Sequence, residues 1–247
     1  MDLVLVVAIG AVVGFLGGLF GKGGSAIATP LLSVAGVPPL ASVASPLPAT
    51  IPGTLVAAYA YWEQRLVDWE IVRWSIPVGV PATIVGAYAT RWIGGTPLVV
   101  ATELVVAALG ARFLLHPSDP HEVAVPPPAP RLRRVAVALT VGLASGLLAN
   151  GGGFLLAPLY VMVLRVPLKA AFASSLVVAA ALAVPGTVVH ALLGHIDWVV
   201  VAAFSVTSIP LSYVGGRVAV RTHSTRLERW YGLGLLVIGL ATLAATA

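Results

Sequence analysis

The chain has 247 residues, 59% hydrophobic and 9% charged, with a mean hydropathy of +1.00 and a net charge of +5. A soluble domain carries about 25% charged residues to cover its surface, so this composition excludes a soluble fold. The absence of cysteine removes disulfides, thiolate metal ligands and cysteine nucleophiles together. The basic residues lie between apolar runs, where the positive-inside rule places them, which argues against nucleic acid as the reason for the charge.

Five apolar segments follow in order, at about 3–21, 23–36, 38–62, 70–92 and 96–115. The first is expected to remain in the mature chain, because Asp2 stands where a signal peptide needs a basic region and the run continues into the next segment. His116 to Pro130, "HPSDPHEVAVPPPAP", reads as a polar, proline-rich linker. Five more segments follow at about 132–149, 151–164, 167–193, 197–220 and 225–246. A helix of roughly 20 apolar residues crosses a hydrocarbon core of about 30 Å. A barrel would need short alternating strands instead, and these runs are apolar on all sides.

The chain is written twice. Gly14, Gly18, Leu19, Gly23, Gly24, Pro30 and Leu31 reappear 128 positions later as Gly142, Gly146, Leu147, Gly151, Gly152, Pro158 and Leu159. After one inserted residue the offset becomes 129. Ser45 and Leu47 then match Ser174 and Leu176, and Asp68 and Trp69 match Asp197 and Trp198. Five segments per half is an odd number, which inverts the second half against the first. With the linker cytoplasmic, Arg65, Arg73, Arg165, Lys169, Arg217, Arg221, Arg226 and Arg229 fall on the same side, Arg91 is an exception, and both termini lie outside. The expected fold is an all-α integral membrane protein of two inverted-topology repeats, each with a glycine-broken helix pair plus three further helices, about 8–10 membrane segments in all. Residues 1–115 form the first repeat, 116–131 the cytoplasmic linker and 132–247 the second repeat.

Glycine stretches break the first apolar region of each half at matching places. Gly14, Gly18, Gly142 and Gly146, at four-residue spacing, fit close helix packing. Gly21, Gly23, Gly24, Gly151, Gly152 and Gly153 are too densely clustered for helix. Broken segments at corresponding positions of two halves point to a transport site near the midplane, where free N–H groups solvate an anion. Lys22 stands in the first break and Asn150 takes its place in the second. Lys22 has two readings, an anion partner or an anchor that snorkels to an interface.

With these residues in view, "GLFGKGGSAIATPLL" and "GLLANGGGFLLAPLY", followed by "ASVASPL" and "AAFASSL" and then "VDW" and "IDW", resemble the duplicated signature of the TauE/SafE family of sulfite exporters and related sulfur-anion permeases. The resemblance covers almost the whole chain apart from the linker. It implies a bacterial inner-membrane transporter, not an enzyme, for a small sulfur-containing oxyanion such as sulfite, a sulfonate or sulfoacetate. No cofactor, metal or nucleic acid is expected; the lipid bilayer is a partner, and a proton or cation is a possible coupling partner. An anion channel and a membrane-embedded enzyme are the alternatives.

The expected substrate site, with alternating access around the two breaks, comprises Lys22, Gly23, Gly24, Ser25, Ser45, Asn150, Gly151, Gly152, Gly153, Ser174 and Ser175. For the serines two readings stay open, hydroxyls to oxyanion oxygens or hydroxyls to their own helix backbone. Pro46, Pro48 and Pro52 in one long helix and Pro185 in its partner predict bending or unwinding there. Asp68 and Asp197 read as helix caps, and the tryptophans after them as interface anchors. Glu103, deep in an apolar segment, and His190 are candidates for coupling.

Overall fold

The computed structural model describes residues 1–21, 25–93, 130–147 and 153–246, with helical residues at 108, 110–112, 114 and 115 between them. The described residues contain helices and no strands. In chain order the helices are α1 (Leu3–Leu19), α2 (Ser25–Val34), α3 (Pro39–Ala44), α4 (Pro46–Trp62) and α5 (Trp69–Ile93), then α6 (Arg131–Leu147), α7 (Gly153–Met162), α8 (Leu168–Leu192), α9 (Trp198–Arg221) and α10 (Ser224–Thr246). Four stretches are long and apolar enough to cross a membrane: Pro39–Trp62, Trp69–Ala89, Leu168–Leu192 and Trp198–Arg221.

These boundaries have local causes. Asp2 accepts from the N–H groups of Val4 and Leu5, Asp68 from Glu70 and Ile71, and Asp197 from Val199 and Val200, so each caps the helix that follows. Trp69 and Trp198, the residues after two of these caps, are exposed, as an interface anchor must be. A one-residue turn at Ser45 separates α3 from α4. Prolines inside the two long helices interrupt neither, since α4 runs through Pro52 and α8 through Pro185. The expected unwinding at Pro185 is therefore absent, because a helix packed on several sides tolerates the loss of one ladder bond.

The packing order is α1, α9, α4, α8, α5, α6, each helix lying against the next. It reads the same backwards once each helix is exchanged for the one 128 or 129 residues away. The halves interlock, with α9 between α1 and α4, and α5 between α8 and α6. Glycines permit the closest approaches. A Cβ at Gly14 would fall on the backbone of Ser208 and one at Gly18 on the Ser212 carbonyl; at Gly142 and Gly146 it would meet the carbonyls of Gly79 and Thr83. Ser208 and Gly79, like Ser212 and Thr83, are 129 apart, so one interface is built twice from small residues.

α4 and α8 form the centre and run antiparallel. The Asp197 N–H at the outgoing end of α8 donates to Ser45 Oγ at the start of α4, 3.0 Å away. The Asp68 N–H beyond the end of α4 donates to Ser174 Oγ near the start of α8, 2.9 Å away. The connecting turns obey the same exchange. Gly36 (φ 79°) matches Arg165 (φ 56°), and Arg65 (φ 55°) matches Gly194 (φ 70°), all left-handed.

Candidate functional site

Lys22, Gly23, Gly24, Asn150, Gly151, Gly152 and Glu103 lie outside the described residues. Ser25 opens α2 and Gly153 opens α7, so a short helix of 10 residues starts directly after each glycine stretch. These two short helices touch each other across the repeats.

The approach to the first stretch is held from three sides. The Tyr61 hydroxyl, fully buried, lies 3.1 Å from the Gly18 carbonyl and 3.2 Å from that of Leu19, and donates to this last turn of α1. Gly21 has φ 60°, and a Cβ there would lie 2.6 Å from Phe172 Cα, so glycine is required by both conformation and space. Ser175 Oγ reaches the Gly21 carbonyl at 3.0 Å and that of Phe172 at 2.8 Å. Phe20 packs against Phe172 and Tyr231.

Ser45, Ser174 and Ser175 are fully buried and bonded in this way to the opposite half. Ser175 also bonds its own helix. Ser45 and Ser174 bond the backbone of another helix, an alternative to both sequence readings. Gly21 is level with Phe172 and Ser175, roughly 10 Å from the middle of α8 at 1.5 Å per residue.

His190 is the repeat counterpart of Tyr61, 129 positions on. It stands next to the Gly146 backbone as Tyr61 stands at Gly18. Its Nδ1 is 3.1 Å from His195 Nδ1, a contact in which only one of the two nitrogens can donate.

A cavity of about 40 Å³ opens at mid-height, between α1, α4 and α9. Its polar lining consists of Thr50, Thr54, Ser208 and Ser212, and its α1 wall of Gly14, Gly17 and Gly18. None of these hydroxyls is among the site residues expected from the sequence. The signal for them is a shared four-residue spacing, Gly14 and Gly18, Thr50 and Thr54, Ser208 and Ser212, which places each pair on one helix face.

Among the described residues there is no group of three or more His, Asp or Glu that could hold a metal. Two ion pairs brace one end of the molecule, Arg134 with Glu70 and Arg217 with Glu63.

This architecture, buried on polar cross-helix bonds and exposing apolar residues such as Val188 and Val206, is that of a multi-pass membrane protein. The sulfite exporter TauE/SafE family model matches residues 6–242, and the chain belongs to that family of membrane transporters. It is 29% identical over 248 residues to a probable membrane transporter protein of Xylella fastidiosa (strain 9a5c), covering 97% of this chain and 94% of the relative. It is 23% identical over 245 residues to the probable membrane transporter protein YunE of Bacillus subtilis (strain 168), covering 88% and 87%. No solved structure matches the chain.

Proposed function

We propose that the protein carries a small sulfur-containing oxyanion, such as sulfite or an organosulfonate, across the membrane by alternating access between two inverted repeats. The observation that carries this reading is the antiparallel α4 and α8 pair. Two repeat-equivalent helices clamped head to tail by Ser45–Asp197 and Ser174–Asp68 support an exchange axis across the helices. If those helices span the bilayer, that axis lies in its plane, as in inverted-repeat carriers.

The turns supply an independent argument. Arg65 and Arg165 stand together at the end where Asp68 meets Ser174, with Arg217 bonded to Glu63 beside them. Gly36 and Gly194 hold the same backbone positions at the other end. A left-handed residue favours glycine, so arginine at the two positions of one end reflects the positive-inside bias acting on a repeated backbone. That end, with Arg131, Arg133 and Arg134 of α6, is cytoplasmic in this reading, and so is the linker over 116–131.

The substrate site draws on the glycine stretches. Free N–H groups at the starts of α2 and α7, with Ser25, Gly23, Gly24, Gly151, Gly152 and Gly153, donate to the oxyanion from the two sides of the midplane. Lys22 supplies the charge and Asn150 a neutral donor. The oxyanion accepts several hydrogen bonds at once, which favours it over chloride.

The test is anion binding to the purified protein, with sulfite, sulfoacetate and chloride compared at one ionic strength. Sulfite or sulfoacetate binds more tightly than chloride, and Lys22→Gln weakens the oxyanion by about tenfold, since a charged hydrogen bond contributes roughly 1.5–3 kcal/mol against about 1 for a neutral one. Equal competition by chloride contradicts an oxyanion site. Unchanged binding in a folded Lys22→Gln protein makes the lysine an interface anchor.

A further inference from the structure

We infer that the cavity between α1, α4 and α9 is a binding site for one sodium-sized monovalent cation, a site present in the first half of the repeat and filled in the second. This rests on the transporter reading above and names a coupling ion for it.

The argument begins with which protons are already used. Thr50 Oγ1 donates to the Pro46 carbonyl at 3.0 Å, Thr54 Oγ1 to the Thr50 carbonyl at 2.8 Å, and Ser212 Oγ to the Ser208 carbonyl at 2.7 Å. A hydroxyl has one proton and two lone pairs, so these three present only acceptors to a ligand. Ser208 lines the same cavity, is 4% exposed, and its Oγ has no hydrogen-bond partner. An oxyanion needs donors and finds at most one among the described lining side chains. A hard cation needs oxygen lone pairs and finds four hydroxyl oxygens.

Two helix ends meet the cavity with opposite dipoles, the last turn of α1 at Gly17 and Gly18 and the first turn of α4 at Pro46 and Ala49, so they offset and the hydroxyl lone pairs set the preference. Among the described residues, no basic side chain lines the cavity. Its height also fits, because Thr50 and Thr54 fall at the middle of the Pro39–Trp62 span, and Ser208 and Ser212 at the middle of Trp198–Arg221. A volume of about 40 Å³ admits an ion with one or two waters, given that one water needs roughly 10–15 Å³ on this scale.

The second half is the internal control. The counterparts of Thr50, Gly53, Thr54 and Ser208 are Ala179, Leu182, Ala183 and Gly79. Three hydroxyls are gone. Leu182 occupies the space instead, its Cδ2 only 2.9 Å from where a Gly79 Cβ would stand. Gly53 puts no side chain into the equivalent space, where a built Cβ would already lie 3.3 Å from Ser212 Oγ. Among the described residues, the second half therefore lacks the hydroxyl set that the first half provides.

The experiment is equilibrium binding of radioactive sodium to the full chain in lipid nanodiscs, in choline buffer, beside thermal unfolding with sodium, potassium or choline chloride. Saturable sodium binding is expected at one ion per chain, with stabilisation by sodium over choline. Ser208→Ala combined with Thr54→Val raises the half-saturating sodium concentration at least tenfold. Gly53→Leu, which copies the second half, abolishes binding. Both variants should unfold in choline at the temperature of the parent, and that comparison separates lost binding from lost folding. If one of the two variants is unstable, the folded one decides. Absence of saturable sodium binding by the parent, or parent-like binding by folded Gly53→Leu, overturns the inference. Oxyanion binding measured in choline separates the two readings: its persistence without sodium binding leaves the transporter reading intact, and sodium binding without any oxyanion binding removes that reading instead.

Discussion

The backbone N–H of Asp197 donates to Ser45 Oγ at 3.0 Å, joining a turn of the second half to the start of a central helix of the first. Its mate, Asp68 to Ser174 Oγ, is the same bond seen from the other half. Each serine is fully buried and satisfies an N–H that a capping aspartate leaves outside its helix. Ser45→Ala and Ser174→Ala should each destabilise by about 1–3 kcal/mol, the cost of orphaning a buried donor. The two should cost similar amounts by thermal or denaturant unfolding in detergent. A neutral result at either position would remove the clamp.

Arg65 and Arg165 sit in the left-handed region at φ 55° and 56°, where their repeat counterparts are glycines. Arg65→Gly and Arg165→Gly should each stabilise the folded state by about 1 kcal/mol, since non-glycine residues in that region cost about 1–3 kcal/mol. The same replacements remove positive charge from the end that the proposed topology places in the cytoplasm. Fluorescence-monitored unfolding of both variants checks the sign; a loss of stability would show that the arginine side chains contribute more than the backbone strain.

Gly17 and Gly18 are neighbours with opposite surroundings. A Cβ at Gly18 would overlap the Ser212 carbonyl, whereas one at Gly17 meets nothing within 4 Å. Gly18→Ala should force α1 away from α9 and lower the yield of folded protein sharply. Gly17→Ala should be neutral or stabilising by up to about 1 kcal/mol through helix propensity. Size-exclusion profiles and unfolding midpoints of the two variants provide the comparison, and equal behaviour would contradict the packing described.

The absence of native cysteine makes the topology directly accessible. Gln64, exposed in the turn after α4, and Leu192, exposed at the end of α8, lie at opposite ends of the central helix pair. Single cysteines there should react with a membrane-impermeant maleimide from opposite sides of intact cells or oriented vesicles. Reaction from the same side would rule out the inverted arrangement.

The segment limits were legible because charge and proline mark them. The run at 167–193 became Leu168–Leu192, and the run at 197–220 became Trp198–Arg221. The capping roles of Asp68 and Asp197 were equally readable, since an aspartate before an apolar run has one common use. The partners of Ser45 and Ser174 were not, because a hydroxyl in an apolar helix has the same local sequence whether it bonds its own backbone, a ligand or another helix. The cavity was hidden for a related reason. Thr54, Ser208 and Ser212 look like ordinary small polar residues until α9 is seen to insert between α1 and α4, a crossing set by tertiary packing. Pro185 misled because a local propensity to break a helix was overridden by packing around α8.

The central claim is carrier-mediated transport of a sulfur oxyanion, and its most direct test is counterflow in proteoliposomes. Vesicles loaded with unlabelled sulfite or sulfoacetate are diluted into a trace of the same labelled anion. The account predicts a transient, saturable accumulation of label above equilibrium, supported by the oxyanion inside and not by chloride. Label that equilibrates without overshoot and with no saturation, or chloride supporting it equally, would contradict a carrier for these anions.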